Sequence, residues 1–312
     1  LRRGPVFVFV DLSQYSADKD TIEVIPMSCN ICPRACPDRA SGFCASPMAA
    51  SVRRAALHFW EEPPISGTRG SGTVFFSGCS LRCVFCQNFE ISRSGGKELS
   101  PEELRRVFFR LIDQGAHNIN LVTPTHLVPW LLPALKPKLP VPVVYNCGGY
   151  ENISTLRSLE GSADIYLPDL KYMLKAPAGR YSFAPDYPSA ATDALREMYR
   201  QVGNYELDDD GIMQRGLIVR HLVLPGNIEN TKAVIRWFSR FARGKRIMFS
   251  LMSQYVPMGN AGKYPEINRK LTLEEYDEAV DCLYDCGIED GFVQEPDSAT
   301  ADYTPSFNYE GL

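Results

Sequence analysis

The chain has 312 residues, 45% of them hydrophobic and 22% charged, a balance that excludes a disordered chain. A net charge of −4, from 33 Lys and Arg against 37 Asp and Glu, offers no broad basic field and argues against a nucleic-acid partner. Ten cysteines are the unusual count, and at this length metal or redox chemistry competes strongly with a disulfide framework.

In chain order, Leu1-Arg2-Arg3 and the apolar run 6–10 read as a short strand rather than a signal peptide, because Asp11 ends the run and no small-residue cleavage site follows. No run approaches the roughly 20 apolar residues of a membrane span. A soluble, cytoplasmic protein with reduced thiols is therefore expected. A first cysteine group follows, Cys29-x2-Cys32-x3-Cys36-x7-Cys44, and a second, Cys79-x3-Cys83-x2-Cys86, comes directly after an apolar strand at 73–76. Close spacing in loops lets several thiolates converge on one soft metal centre.

From about residue 70, strand-like and helix-like runs alternate, which predicts a parallel α/β sheet or barrel. Further strands are expected at 118–122, 143–145, 164–167, 217–224, 247–251 and 291–293. Ser100-Pro101-Glu102-Glu103 is a helix start, with Ser as N-cap, Pro in the first turn and Glu three residues on; Thr272-Leu273-Glu274-Glu275 repeats the pattern. Other helices are predicted at 128–135, 153–159, 190–202 and 231–241. Residues 172–215 form a long connection rich in Tyr, Pro and Asp, with a turn at 208–211, and connections of that length often serve as lids.

Polar residues collect where the strands end: Cys79, then Thr123-Pro124-Thr125-His126, Asn146-Cys147, Asp169 with Lys171, Asn227, and Gln254-Tyr255. Parallel α/β folds bind ligands at that face, although Pro, Gly and Asn there also serve simply as turns. Three thiolates from one short loop can hold three irons of a cubane and leave the fourth open, as a catalytic metal site requires. A zinc site or unligated buried cysteines are the alternatives at this point.

The Cys-x3-Cys-x2-Cys spacing, with Phe85 before the last Cys, resembles the radical S-adenosylmethionine (SAM) superfamily. The stretches WEEPPISGTRGSGTVFFSGCSLRCVFCQNFEIS, INLVTPTH, VVYNCGGY, DIYLPDLKY, VRHLVLPG and SLMSQYVP resemble its pyruvate formate-lyase activating-enzyme-like branch. Within that branch they are most similar to members with an N-terminal Cys-Pro-Arg-x-Cys element. The resemblance spans about residues 28–295.

It implies a partial (β/α)6 barrel behind a cysteine-rich N-terminal segment, with divisions at 1–66, 67–300 and a tail at 301–312. It implies that Cys79, Cys83 and Cys86 bind a [4Fe–4S] cluster whose open iron is chelated by SAM. One electron, from a reductant such as flavodoxin or ferredoxin, then cleaves SAM to methionine and a 5′-deoxyadenosyl radical. That radical takes a hydrogen atom from a substrate: a protein or peptide, as in glycyl-radical activation, or alternatively a small metabolite. A third reading is a non-catalytic iron–sulfur or zinc protein for electron relay or binding.

Thr123 and Thr125 occupy the place of the family's Gly-Gly-Glu-type motif for the SAM amino group, and Asn146 stands where activating enzymes carry an Asp. Asp169 and Lys171 match an Asp-Leu-Lys motif expected near SAM and its carboxylate; Arg220 is the inward choice over His221 on the fifth strand. Cys29, Cys32, Cys36 and Cys44 suggest a second [4Fe–4S] cluster or a zinc ion. Gln254 and Tyr255 are cavity candidates, and His126 a substrate contact. Tyr172, Tyr181 and Tyr187 either clamp a substrate or pack a lid. Cys282 and Cys286 share a helix face as packing, and His58 and His117 read as structural groups.

Overall fold

The structure, a computed structural model, describes residues 28–39, 41–45, 49–93, 95–295 and 305–312; the strand expected at 6–10 lies outside them. The ordered sheet begins with β1 (Ala50–His58) and a short helix α1 (Pro63–Ser66), followed by β2 (Ser71–Phe76) and β3 (Lys97–Leu99). Strands and helices then alternate: α2 (Pro101–Asp113), β4 (Ile119–Val122), α3 (Val128–Ala134), β5 (Val143–Cys147), α4 (Ile153–Ser158) and β6 (Ile165–Pro168). After β6 come α5 (Lys175–Ser182), α6 (Tyr187–Val202) and β7 (Glu206–Leu207). The chain continues through β8 (Met213–Leu222), α7 (Ile228–Ala242), β9 (Met248–Met252), α8 (Leu273–Asp285) and β10 (Gly291–Val293).

The strands lie in the order β10-β9-β8-β6-β5-β4-β2-β1-β3, with β7 hairpinned onto β8. From β2 to β10 every neighbour is parallel, whereas β1 runs antiparallel to both β2 and β3. Because β10 and β2 do not pair, the parallel strands form an open, partial barrel, as expected. The expected division at residue 66 falls inside this packed unit, since β1 pairs with β2 from Val52 to His58.

Both predicted caps are present. The Ser100 and Thr272 side chains each accept from the third helical N–H, and Glu103 and Glu275 return the bond. Alternation then decides which strand residues meet helices. Tyr145, Tyr166, Leu217, Val219, Phe249 and Leu251 pack against Leu156, Leu195, Met198, Val234 and Phe238 of α4, α6 and α7. The intervening residues Val144, Ile165, Leu167, Ile218 and Met248 face Ile65 instead, so α1 plugs the concave side.

The 172–215 connection is not a lid. It is two helices and a hairpin, and its tyrosines are core: Tyr172, Tyr181 and Tyr187 are buried. The turn at 208–211 is present, closed by the Gly211 N–H on Asp208 O at 3.0 Å. The C-terminal residues lie along β1, with Ala55 N–H donating to Glu310 O at 2.9 Å and Phe307 edge-on to Phe75. Among the described residues no helix is long and apolar enough to cross a membrane.

Candidate functional site

β2 ends in a loop whose path is set by glycine. Gly78 has φ +87°, and a Cβ there would lie 2.7 Å from Cys44 O and 2.9 Å from His126 Nε2. The loop is pinned on both sides: Val84 N–H donates to Tyr181 O (2.9 Å), and Asn260 N–H donates to Val84 O (2.7 Å). Phe85 packs edge-on against Tyr181 and Tyr255.

This holds Cys79, Cys83 and Cys86 at one cavity at the C-terminal ends of the strands. Cys79 Sγ accepts from Leu81 N–H at 3.3 Å, and Cys83 Sγ accepts from Ser182 Oγ at 3.0 Å. Burial pushes the Cys83 and Cys86 thiols up, and the neighbouring cysteines of the loop add to it. Among the described residues no three His, Cys, Asp or Glu are drawn together as tightly as in a filled metal site. The donor set nevertheless fits an iron–sulfur cluster: three soft thiols on one loop, desolvated and mutually repelling once ionised, are compensated by a soft cation.

Across the cavity stands a ladder of charge. Lys171 Nζ donates to Asp169 Oδ2 (2.6 Å) and Arg220 Nε to Asp169 Oδ1 (3.0 Å). Arg220 also reaches Glu61 Oε2 (3.0 Å) and Asn146 Oδ1 (2.6 Å). The other Glu61 oxygen accepts from Asn120 (2.9 Å) and Asn146 (3.1 Å). Burial opposes every charge here, yet Lys171 and Arg220 together hold the Asp169 carboxyl below its usual range. Against the same burial, Asp169 and Cys83 raise Lys171, so it stays protonated.

Of the sequence-predicted residues, Thr123, Asn146, Asp169, Lys171, Arg220 and Gln254 line the cavity with the three cysteines. Thr123 does so at φ +60°, a strained conformation for a β-branched residue. Thr125 does not line it: its hydroxyl is turned away and donates to buried Glu151 at 2.6 Å. His126 is likewise diverted, with Nε2 2.8 Å from Ser77 O, and burial lowers its pKa to about 4. Tyr255 is core, donating to Ile267 O at 2.6 Å. His221 points to the helix side, against Leu170 O and Thr231, which leaves Arg220 inward as alternation required.

Glu61, His58 and Trp60 are among the cavity residues that sequence reasoning missed. Glu61 enters on the plug that α1 makes, and His58 and Trp60 stand beside it. The Trp60-Glu61-Glu62 run was the available signal. The four cysteines of the first group lie behind the loop, where Cys44 O accepts from Cys79 N–H at 3.3 Å. Burial pushes the Cys32 thiol up to about 12.

Residues 73–200, from β2 through most of α6, match the family description "Radical SAM superfamily". That stretch is similar to a radical SAM domain. An uncharacterized protein of Methanocaldococcus jannaschii is 28% identical over 272 residues, 81% of this chain and 73% of that protein. Methylornithine synthase superposes with a TM-score of 0.48 at 14% identity, over 83% of this chain and 72% of its own. A domain of pyruvate-formate lyase-activating enzyme from Bacteroides vulgatus gives 0.34 at 14% identity, over 62% of this chain and 91% of its own.

Proposed function

We propose that this protein is a radical SAM enzyme of the activating-enzyme-like kind, acting on a protein or peptide. The observation that carries the reading is the convergence of the three-cysteine loop and the Lys171–Asp169–Arg220 ladder on one cavity. Cys79, Cys83 and Cys86 hold a [4Fe–4S] cluster. When bound there, the cluster and SAM would supply one-electron radical chemistry for hydrogen-atom abstraction from the substrate. The chain's own residues bind and orient. Asp169 and Lys171 offer a carboxylate and an ammonium to the zwitterionic end of SAM, and Thr123 and Asn146 add neutral polar contacts. Leu81, Phe85 and Leu222 exclude water from the walls.

Arg220 is saturated by Asp169, Glu61 and Asn146, so it offers no spare clamp for the carboxylate of a small acid. Trp60, 63% exposed at the cavity mouth, suits a long partner better. Both observations favour a peptide over a metabolite, with backbone Cα hydrogen abstraction, as in glycyl-radical activation, as the reaction. The electron comes from a low-potential donor of the flavodoxin or ferredoxin class. An oxidation-sensitive cluster suits a reducing compartment such as the cytoplasm.

The test is anaerobic reconstitution with iron and sulfide, then dithionite and SAM. 5′-Deoxyadenosine is expected from the wild type and none from Cys83→Ala. An intact cluster that yields no 5′-deoxyadenosine removes the reading.

A further inference from the structure

The segment 28–45 is strapped against the back of the three-cysteine loop. Arg34 donates to Ser80 O (2.8 Å), inside that loop, and to Ser182 O (2.7 Å), whose hydroxyl in turn touches Cys83. Arg39 donates to His126 O at 2.7 Å. Asn152 and Thr155 of the α4 start hold Asn30 O and Ile31 O, each at 2.7 Å.

Within this strap the backbone gathers the cysteines. Cys29 N–H donates to Cys36 O at 2.8 Å, and a turn at Cys32 closes through Ala35 N–H. Donors reach the sulfurs, among them Phe43 N–H at 3.5 Å from Cys36 Sγ and Arg39 at 3.9 Å from Cys29 Sγ. Cys29 and Cys36 are half-exposed, whereas Cys32 and Cys44 are buried on the inner side. The Arg34 and Arg39 guanidiniums donate to carbonyl oxygens and to a sulfur. Arg34 and Arg82 even share one ring, lying 4.1 and 5.1 Å from the Phe43 centroid. Two like charges on one ring, with a third near the same cysteines, favour an anion between them. Four thiolates on a metal centre carry net negative charge and supply it.

We propose that Cys29, Cys32, Cys36 and Cys44 bind a second [4Fe–4S] cluster, and that it passes electrons to the first through the Cys44 C=O···H–N Cys79 bond. A structural zinc would suit a segment with little else to hold it, but Arg34, Arg39, Asn152 and Thr155 already dock this one. A single electron leaves a low-potential flavin or iron–sulfur donor at the half-exposed Cys29/Cys36 side and reduces the second cluster. It then reduces the first cluster, and the second returns to its oxidised state with no proton moved. The relay rests on the function proposed above; the metal site does not.

The test uses the full chain, reconstituted anaerobically. With Cys79, Cys83 and Cys86 all replaced by Ala, about four irons and about four sulfides are expected to remain, against about eight irons in the wild type. A reduced EPR signal should accompany them. One zinc in place of iron, or no metal, overturns the proposal. In the complementary variant Cys29→Ser, folded by circular dichroism, that signal should be lost. Reduction of the first cluster by reduced flavodoxin should then slow about tenfold or more; an unchanged rate overturns the relay. If Cys29→Ser does not fold, the wild-type and triple-variant iron counts decide the site. Wild-type chain that makes no 5′-deoxyadenosine while the triple variant keeps its irons removes the function proposed above and supports the second site.

Discussion

Arg220→Met is the perturbation whose consequences follow most directly from the geometry. It keeps the aliphatic stem and deletes the guanidinium that ties Glu61, Glu62 and Asp169 together. Asp169 retains Lys171 at 2.6 Å, but Glu61 is left with two neutral amide donors while its side chain stays only 10% exposed. Removing one partner of a buried ion pair costs about 3–5 kcal/mol because a charge is stranded, out of a total domain stability of about 5–15 kcal/mol.

The pH dependence gives the sign. In the wild type Asp169 lies below its ordinary range, so its contribution is present above the unfolded value and fades as pH falls through the folded one. In the variant the buried Glu62 carboxyl, which burial already raises and Arg220 holds down, rises further, and stability is then lost as pH rises. The deficit should therefore be larger near about pH 8 than near about pH 5. Equilibrium unfolding in guanidinium chloride at both values, on the metal-free chain, measures it. A deficit under about 1 kcal/mol, or one that does not widen with pH, would refute the view of this ladder as a buried, mutually dependent unit.

Two further outcomes are expected. Glu151, buried beneath Thr125 and Tyr145, has its carboxyl raised to about 7 by burial, so the wild type loses stability as pH rises from the ordinary carboxylate range toward 7. Glu151→Gln should flatten that part of the pH–stability curve, a change of about 3 kcal/mol; a curve as steep as the wild type's would contradict it. Gly78→Ala places a methyl group against Cys44 O and His126 at φ +87° and should cost about 2 kcal/mol or more. Limited proteolysis would show cleavage in 28–45 rising in step, and a wild-type midpoint would count against the close apposition of loop and strap.

What the sequence determined by itself was local. The capping boxes at Ser100 and Thr272 involve residues three apart, and the buried runs at 119–122, 143–147 and 248–252 need no partner to be recognised as strands. Cysteine spacing likewise states which thiols one loop can present. β1 was missed because adjacent Arg53 and Arg54 break the alternation, and a bulge between Val52 and Arg54 restores the register. Tertiary structure alone decided the rest. Thr123 and Thr125 are two residues apart, but only the turn at φ +60° shows that the first lines the cavity and the second does not. Glu61 reaches Asn146 across 85 positions because a plug closes the barrel's concave side. Alternation turned only one of Arg220 and His221 inward, with Arg220 the choice; its bridge to Asp169 between β6 and β8 fixed it. A one-dimensional pattern records periodicity and spacing, whereas the meeting of charges from distant strand ends exists only once the sheet has curved around them.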